Sequence, residues 1–306
     1  MIALQFPNLE ELKRTHYNAV KSYVQYRMKR DAKLVFYAAV VALPEMQDFP
    51  RTYDENSNDY TWLERFVLAD LTLLQKWVRE AAPLLKFTEM KKLYTNCFSK
   101  SPKVFVDVEK TYNAYRLFQL MDISVCPYCE HEFIEVVAKE GEARRTLEFD
   151  HFFPKGDNDY PGLAMCFFNL IPSCKPCNQV RNNSMVDANP YDSTIETMTY
   201  FSTNLPFAIN IESTSDNDCQ PKLNPTGLMV KNDSVFALEQ RYRNVSSEVR
   251  RLLLCKQNFP DEKLLELERM NFGTVADLKH TLFGNKRDVA RGKELHTKMK
   301  EDLIGY

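Results

Sequence analysis

The sequence predicts a mainly α-helical protein of the α+β class, with a small ββα centre between two helical regions. Apolar residues recur at helical spacing through the first and last thirds of the chain. Near the middle, "CPYCEHEFIEVV" and "RRTLEFDHFF" instead alternate like two short strands around the polar turn "AKEGEAR". A short helical segment follows the second of two Cys-x-x-Cys pairs. These observations place a small β-containing element within a helical chain.

Three domains follow from this pattern. Residues 1–122 form an N-terminal helical domain, in which 9–41 is predicted to be one long helix that could bend. The last part of this domain, "VFVDVEKTYNAYRLFQLMD", also has a helical pattern. Residues 123–195 form the ββα centre, where "NLIPSCKPCNQVRNNS" is expected to be a loop leading into the short helix. Residues 196–306 combine a hairpin in "TYFSTNLPFAINIES" with further helices, the last of them near 286–303.

Composition and charge limit the classes of function. The apolar fraction of 44% is that of a globular protein with a sizeable core. Lys and Arg number 40 against 42 for Asp and Glu, whereas a protein that holds nucleic acid by bulk electrostatics is normally basic. The start of the chain lacks a basic region followed by an apolar one, and no run of about 18 apolar residues occurs. We therefore expect a cytoplasmic protein with no signal peptide or membrane span, whose nucleic-acid contacts are local or shared with a partner.

The eight cysteines include two Cys-x-x-Cys pairs, Cys126 with Cys129 and Cys174 with Cys177. Each such turn can place two thiolates on one side of a tetrahedral Zn²⁺, and two turns complete a four-thiolate structural site. A redox role, the alternative, needs only one pair at a helix start in a thioredoxin-like context, which neither flank provides. We favour a structural zinc, whose ligands would hold together the two ends of the segment between the pairs.

Within that segment, Asp150 and His151 are adjacent in "LEFDHFFPKG". A buried Asp-His pair is costly unless it is hydrogen-bonded or binds a metal. On the dipeptide alone, a satisfied pair at a strand end is the simpler interpretation. In the functional interpretation, Phe149 and Phe152 anchor the strand in a small core while the polar pair faces a cleft.

The series "CPYC", "FDHFFPK", "YPGLA" and "NLIPSCKPCN" resembles the zinc-stapled branch of the HNH endonucleases, also called His-Me finger or ββα-metal nucleases. The resemblance covers residues 126–184, roughly a fifth of the chain. The segment is similar in particular to the HNH nucleases found beside ATPases in bacterial anti-phage systems of the Septu and retron-associated kind. This resemblance implies a metal-dependent phosphodiester hydrolase with a ββα-metal core, and a larger ATPase subunit as its partner.

The resemblance also implies roles for individual residues. His151 would be the general base that takes a proton from water, a task that suits the near-neutral ordinary pKa of histidine. Asp150 would bind the divalent cation through a carboxylate oxygen. Asn178 falls where family members carry the last His or Asn ligand, and Asn182, one helical turn further, is a weaker candidate ligand. Asn169 corresponds to the central Asn of the family, whose side-chain amide braces the loop between the strands.

Alternatives remain at several of these positions. Asn169 and Asn178, taken alone, would be ordinary turn and N-cap residues. Basic residues near the motif, among them Lys155 and Arg181, could meet phosphates, although such charge usually forms a solvated face. Asn178 stands where the colicin-type nucleases carry His, which favours Mg²⁺ or Mn²⁺ over Zn²⁺ as the catalytic ion. The rival function is a zinc-stapled nucleic-acid-binding or structural subunit without catalysis. DNA is the expected substrate, but the sequence does not distinguish it from RNA.

Overall fold

A computed structural model of the chain describes residues 1–54, 57–99, 112–139, 142–156, 158–206, 208–284 and 292–305. Across these residues the protein is a mixed α+β structure, in which helices predominate and the strands form two-stranded antiparallel sheets. Within the same ranges, no helix has the length and apolar character needed to cross a bilayer.

The contacts within the chain divide it into two compact units. The first comprises Met1–Leu4, Ser124–Phe133 and Val186–Tyr306, and the second comprises Gln5–Ile123 and Ile134–Met185. Each unit is therefore assembled from segments that are distant along the chain. The division into three consecutive domains at 122 and 195 stays a prediction.

The second unit carries most of the N-terminal helices and the central strands. Its helices are α1 (Leu9–Tyr26), α2 (Arg30–Val41), α3 (Thr61–Val67), α4 (Leu71–Glu80), α5 (Glu89–Leu93), α6 (Ala114–Met121) and α7 (Lys175–Arg181). A π-helical turn, Tyr94–Phe98, extends α5. Part of the helical pattern predicted before α6, at 104–111, lies outside the described residues.

The helix predicted over 9–41 is two helices. The first, α1, ends at Tyr26. Lys29 then adopts an extended backbone, with φ −67° and ψ 156°, directly before α2 begins at Arg30. Since the apolar spacing continues through Met28, the periodicity alone predicted one helix.

The central strands differ in part from the prediction. They are β1 (Val136–Lys139), β2 (Glu142–Arg145), β3 (Leu147–His151) and β4 (Leu170–Cys174). β1 pairs with β2, and β3 pairs with β4, both antiparallel. The centre of the predicted polar turn, at 140–141, lies outside the described residues.

Residues 170–174 were expected to be a loop and are instead the strand β4. Pro172 made this stretch an unconvincing strand, because proline cannot donate a ladder hydrogen bond. In a two-stranded sheet each strand is an edge strand, so the missing donor is tolerated there. β4 runs opposite β3 with Leu147 facing Cys174 and His151 facing Leu170. β4 therefore ends at Cys174, the first cysteine of the second pair.

The first unit carries the remaining elements. They are β5 (Thr199–Thr203), β6 (Pro221–Pro225), α8 (Met229–Phe236), α9 (Leu238–Tyr242), α10 (Ser246–Asn258), α11 (Asp261–Arg269), α12 (Val275–Phe283) and α13 (Thr297–Ile304). The hairpin predicted within 199–213 does not form, because β5 pairs with β6 and short 3₁₀ turns occupy Ile211–Ser213 and Asp216–Cys219. Of the last predicted helix, α13 is observed, and 286–291 lie outside the described residues.

Aromatic side chains fill the interior of each unit. In the second unit, Phe66 stacks on Trp77 with ring centroids 5.6 Å apart, and Phe36 meets Phe66 edge-on. In the first unit, Tyr128 stacks on Phe236 with centroids 4.4 Å apart. All five side chains are fully buried. These five aromatic residues are therefore core residues.

Candidate functional site

The strands β3 and β4 and the helix α7 bring most of the sequence-predicted site residues together in the second unit. Residues two apart on a strand share a face, so Glu148 and Asp150 of β3 project to the same side. On α7, residues three apart share a face, which aligns Asn178 with Arg181. The side chain of Asn178 donates a hydrogen bond to the Glu148 carboxylate, and Arg181 donates to Asp150. Two side-chain contacts therefore fasten α7 to β3.

Arg181 is buried and holds the Asp150 carboxylate in place. Its Nη1 lies 2.5 Å from both carboxylate oxygens, and only 1% of the arginine and 4% of the aspartate side chain is exposed. The same guanidinium donates to the backbone carbonyls of His151 and Phe152, each at 2.6 Å. A buried carboxylate without such a partner would be strongly destabilising. The sequence suggested Arg181 only as one of several basic residues near the motif.

The imidazole of His151 has a defined tautomer. Its Nε2 lies 3.1 Å from the carbonyl oxygen of Ala164, and a carbonyl only accepts, so Nε2 carries the proton. Nδ1 therefore has the lone pair, and it lies 3.2 Å from the Nζ of Lys155. The ring also meets Tyr94 edge-on, with ring centroids 4.5 Å apart. In this tautomer, Nδ1 is the nitrogen that can accept a proton from water.

The pKa of His151 lies well below the ordinary value of histidine. Burial is the main cause, because it disfavours the charged imidazolium. The ammonium of Lys155 lowers the pKa further, while the hydrogen bond to the carbonyl of Ala164 opposes the shift. Arg181 makes a smaller contribution in the same direction as Lys155. His151 is therefore neutral at physiological pH, as a general base must be.

Asn169 braces the loop that joins β3 to β4. The side chain is fully buried. Its Oδ1 accepts from the backbone N–H of Phe153 at 2.6 Å, and its Nδ2 donates to the carbonyls of Phe153 and Leu163 at 3.2 and 2.9 Å. Leu163 directly precedes Ala164, the residue that accepts from His151. The amide thus fixes the loop segment that sets the orientation of the imidazole.

Asn182 is placed differently from the other candidates. It follows the last residue of α7 and has a left-handed backbone, with φ 50°. The helical spacing that aligned Asn182 with Asn178 therefore ends at Arg181. Asn182 is exposed, whereas Asp150 and His151 are buried.

Two of the predicted ligand residues offer oxygen donors of the chemical type that a hard divalent cation prefers. A carboxylate and an amide oxygen, from Asp150 and Asn178, are ligands that Mg²⁺ and Mn²⁺ accept. An ionised carboxylate has about four lone-pair sites, and the Nη1 of Arg181 engages one on each oxygen. A cation bound there would share Asp150 with the guanidinium.

The four cysteines of the two Cys-x-x-Cys pairs form a buried group that could hold zinc. The sulfur atoms of Cys126, Cys129, Cys174 and Cys177 all lie within 4.8 Å of one another. A tetrahedral Zn²⁺ with bonds of about 2.3 Å separates its ligand sulfurs by roughly 3.8 Å, which this upper limit accommodates. The backbone N–H of Cys177 donates to the Cys174 sulfur at 3.4 Å, and that of His131 donates to the Cys129 sulfur at 3.4 Å. Such N–H···S contacts stabilise thiolates.

Comparisons with known proteins give a partial similarity. No family model matches the chain, and no solved structure matches it. The Septu protein PtuB of Bacillus thuringiensis is 38% identical over 58 residues, which are 19% of this chain and 19% of that protein. The chain therefore matches about a fifth of the length of this curated relative, and it is similar to a Septu protein over that stretch.

Proposed function

We propose that the protein is a metal-dependent HNH endonuclease that hydrolyses phosphodiester bonds, with DNA as its substrate. One observation carries the proposal. A neutral histidine at the end of β3 has its Nε2 proton committed to the Ala164 carbonyl, so that Nδ1 is the basic atom. Asp150 precedes it on β3, Asn169 braces the β3–β4 loop and Asn178 lies on α7, and β3, β4 and α7 follow one another in the order of elements that the HNH resemblance implies.

Each residue then has a defined task. His151 accepts a proton from water at Nδ1, and the resulting hydroxide attacks the phosphorus. Asn169 keeps the imidazole oriented through the loop carbonyls. Asp150 and Asn178 would hold Mg²⁺ or Mn²⁺, which supplies charge stabilisation to the phosphorane-like transition state and the leaving oxygen. A structural zinc in the four-cysteine group would support the ends of β4 and α7.

The cleavage assay tests this proposal directly. Plasmid DNA is incubated with the purified protein and Mg²⁺ or Mn²⁺, and nicked and linear products are counted. We expect cleavage by the wild type, none by His151→Ala, and unchanged cleavage by the control His280→Ala, which removes a histidine from α12. Zinc content and thermal unfolding show that the variants are folded. Cleavage by His151→Ala at the wild-type rate would refute the role of His151 as the base, and with it the proposed catalytic function.

The rival function, nucleic-acid binding or a structural role without catalysis, also has a specific observation in its favour. Both candidate catalytic groups already have partners, Asp150 with Arg181 and the Nδ1 of His151 with Lys155. Such a satisfied polar cluster is also what a purely structural core would contain. The plasmid assay separates the two functions, because the rival predicts no cleavage under any divalent cation, with or without DNA binding.

A role in anti-phage defence is the second part of the proposal. It is supported by the HNH resemblance to nucleases of such systems and by the partial similarity to a Septu protein. The net charge of −2 gives little general affinity for a polyanion, so a partner would supply that affinity or gate access to His151. We propose that this partner is a larger ATPase subunit.

Co-expression tests the partner. DNA affinity at physiological salt and molar mass by light scattering are measured for the protein alone and after co-expression with its genomic neighbour. We expect weak DNA binding alone and a stable complex with tighter binding. Tight binding and full cleavage by the isolated protein, with no complex on co-expression, would refute the partner.

A further inference from the structure

Lys155 occupies a position that the proposed roles do not explain. It lies four residues after His151, in the loop that leaves β3, and its side chain is partly buried. Its Nζ is 3.2 Å from the Nδ1 of His151 and 4.9 Å from the centroid of the Tyr94 ring. The Tyr94 hydroxyl donates to the carbonyl of Phe149 at 3.3 Å, which fixes the ring against β3. The ammonium is thus held between the ring and the base.

This contact blocks the base in the protein without substrate. An ammonium only donates hydrogen bonds, so Lys155 uses the lone pair of the His151 Nδ1. Water cannot give its proton to that lone pair until Lys155 has moved. The base therefore becomes available only when the ammonium finds another acceptor.

A phosphate oxygen is a better acceptor for this ammonium than a neutral imidazole. Both acceptors would form a charge-assisted hydrogen bond with the ammonium, but only the phosphate oxygen carries a negative charge and so adds direct Coulomb attraction. Burial lowers the pKa of Lys155, which means that its charge is poorly solvated and gains from an anionic partner. The neighbouring cation Arg181 is already committed to Asp150 and to two backbone carbonyls. Lys155, by contrast, is held by a neutral nitrogen and an aromatic face.

We propose that Lys155 is a catalytic residue that binds a non-bridging oxygen of the scissile phosphodiester through Nζ, and that this movement releases the Nδ1 of His151 for water. The inference rests on the proposed nuclease function and adds a substrate contact to it. With this contact, His151 becomes available as a base only when a phosphodiester is present. The flexible lysine stem allows the small displacement that this exchange requires.

Two variants of Lys155 and one control test the inference. Lys155→Met keeps the aliphatic stem over Tyr94 and removes the charge, and Lys155→Arg restores a cation. Lys92→Met removes an exposed lysine from α5 and is the control for lost charge. Cleavage is followed with plasmid DNA and with bis(p-nitrophenyl) phosphate, a small diester that reaches only the reacting centre. Zinc content and thermal unfolding confirm that each variant is folded.

We expect Lys155→Met to lower kcat about 100-fold on both substrates, which is the usual loss when one transition-state donor is removed. Lys155→Arg should recover part of this loss, and Lys92→Met should cleave like the wild type. The slope of log affinity against log salt for a short DNA duplex should fall by about one in Lys155→Met, as for the loss of one phosphate contact. If Lys155 had only a structural role, Lys155→Met would leave kcat for bis(p-nitrophenyl) phosphate unchanged. The slope of log affinity against log salt would also stay the same.

The outcomes separate this inference from the function beneath it. If the wild type cleaves, His151→Ala does not, and Lys155→Met cleaves like the wild type, the Lys155 role is overturned while the nuclease stands. If the wild type does not cleave at all, the proposed function fails. The salt dependence of DNA binding then still decides the phosphate contact, and an unchanged slope in Lys155→Met overturns it.

Discussion

The sheets β3–β4 and β5–β6 have the same topology and different surroundings. Each is a two-stranded antiparallel pair with five residues in each strand. In β5 and β6, buried residues alternate with exposed or half-buried ones, so one face is covered. In β3 and β4, every residue except Glu148 is buried, so both faces are covered. A two-stranded sheet covered on both faces is unusual, because antiparallel sheets commonly leave one face to solvent.

The two sheets also differ in the buried polar groups that need hydrogen-bond partners. The buried residues of β5–β6 are Thr199, Phe201, Pro221 and Leu223, which are mostly apolar. The buried residues of β3–β4 include Asp150, His151 and Ser173, and each has a hydrogen-bonded partner. A buried polar group without a partner costs about 1–3 kcal/mol, and more if it is charged. The β3–β4 pair therefore maintains a polar network that β5–β6 does not have, and substitutions there should cost more.

The largest expected effect is at the cysteine that ends β4. Cys174→Ser removes one thiolate from the four-cysteine group, and zinc binding in such sites contributes about 10–16 kcal/mol of folding free energy. We expect loss of zinc and of soluble folded protein. The control is Cys219→Ser, a buried cysteine two residues before β6, whose sulfur contacts the hydroxyl of Thr214. It should express normally and retain zinc. Elemental analysis and soluble yield measure both variants, and soluble zinc-free protein with normal unfolding would exclude the structural zinc.

The second effect is at the ion pair behind β3. Arg181→Met removes the guanidinium that pairs with the buried Asp150 carboxylate, which should lower the free energy of unfolding by about 3–5 kcal/mol. Adding Asp150→Asn to this variant should recover part of the loss, because the uncompensated charge is gone. The control is Lys231→Met, which breaks an exposed pair with Asp187 and should cost less than about 1 kcal/mol. Urea unfolding measures all four proteins. Equal losses in Arg181→Met and Lys231→Met would contradict the assigned role of the buried pair.

The third effect is pH-dependent and comes from His16 of α1. Its Nε2 contacts the carbonyl of Met165, in the loop between β3 and β4, and its Nδ1 contacts the hydroxyl of Tyr112, each at 2.8 Å. Burial lowers the pKa of His16 to about 4, and the hydrogen bond to Met165 opposes the shift. The unfolded chain binds this proton near pH 6.5, so between these values protonation favours unfolding. Stability is therefore complete above pH 6.5 and falls as the pH drops towards 4.

The expected loss for His16 is about 3 kcal/mol across this window. The difference in unfolding free energy between the wild type and His16→Gln isolates the contribution, because glutamine does not titrate. His280→Gln, in α12, is the control for replacing a histidine by glutamine. If the difference in unfolding free energy between the wild type and His16→Gln stayed constant from pH 7 to pH 4, His16 would not be protected from protonation.

Features marked by a recognisable motif or by local periodicity were predictable from the sequence. The spacing of the two Cys-x-x-Cys pairs predicted a four-cysteine group, and the structure brings the four sulfurs together. The mixed α+β class was also predicted. The adjacency of Asp150 and His151 is itself a sequence fact, and the periodicity that predicted the helices is local.

Contacts between distant residues that no motif marks were not predictable. Arg181 meets Asp150 across 31 positions of sequence, and no local pattern links them. The partner of β5 is Pro221–Pro225, beyond the stretch that the turn residues marked as a hairpin. The strand β4 was obscured by Pro172, which only its edge position makes acceptable. The contacts of Lys155 and Tyr94 with His151 likewise join separate elements, so sequence alone gave the residues and not their arrangement.

The smallest expected effect compares one serine from each sheet. The hydroxyl of Ser173 in β4 is buried and donates to the carbonyl of Glu148 at 3.3 Å. Ser173→Ala leaves that carbonyl with one donor fewer in a covered sheet, which should cost about 1 kcal/mol.

Ser202 in β5 offers the matched change. Its hydroxyl accepts from the amide of Asn224 at 2.9 Å, but it is only partly buried, and that amide also donates to the carbonyls of Tyr200 and Lys222. Water and these carbonyls can replace the lost contact, so Ser202→Ala should change the free energy of unfolding by less than about 0.5 kcal/mol. Urea midpoints of the two variants measure the difference. If Ser173→Ala and Ser202→Ala lowered the free energy of unfolding equally, covering the second face of a sheet would not raise the cost of losing a hydrogen-bond partner. The contrast between the two sheets would then have no energetic basis.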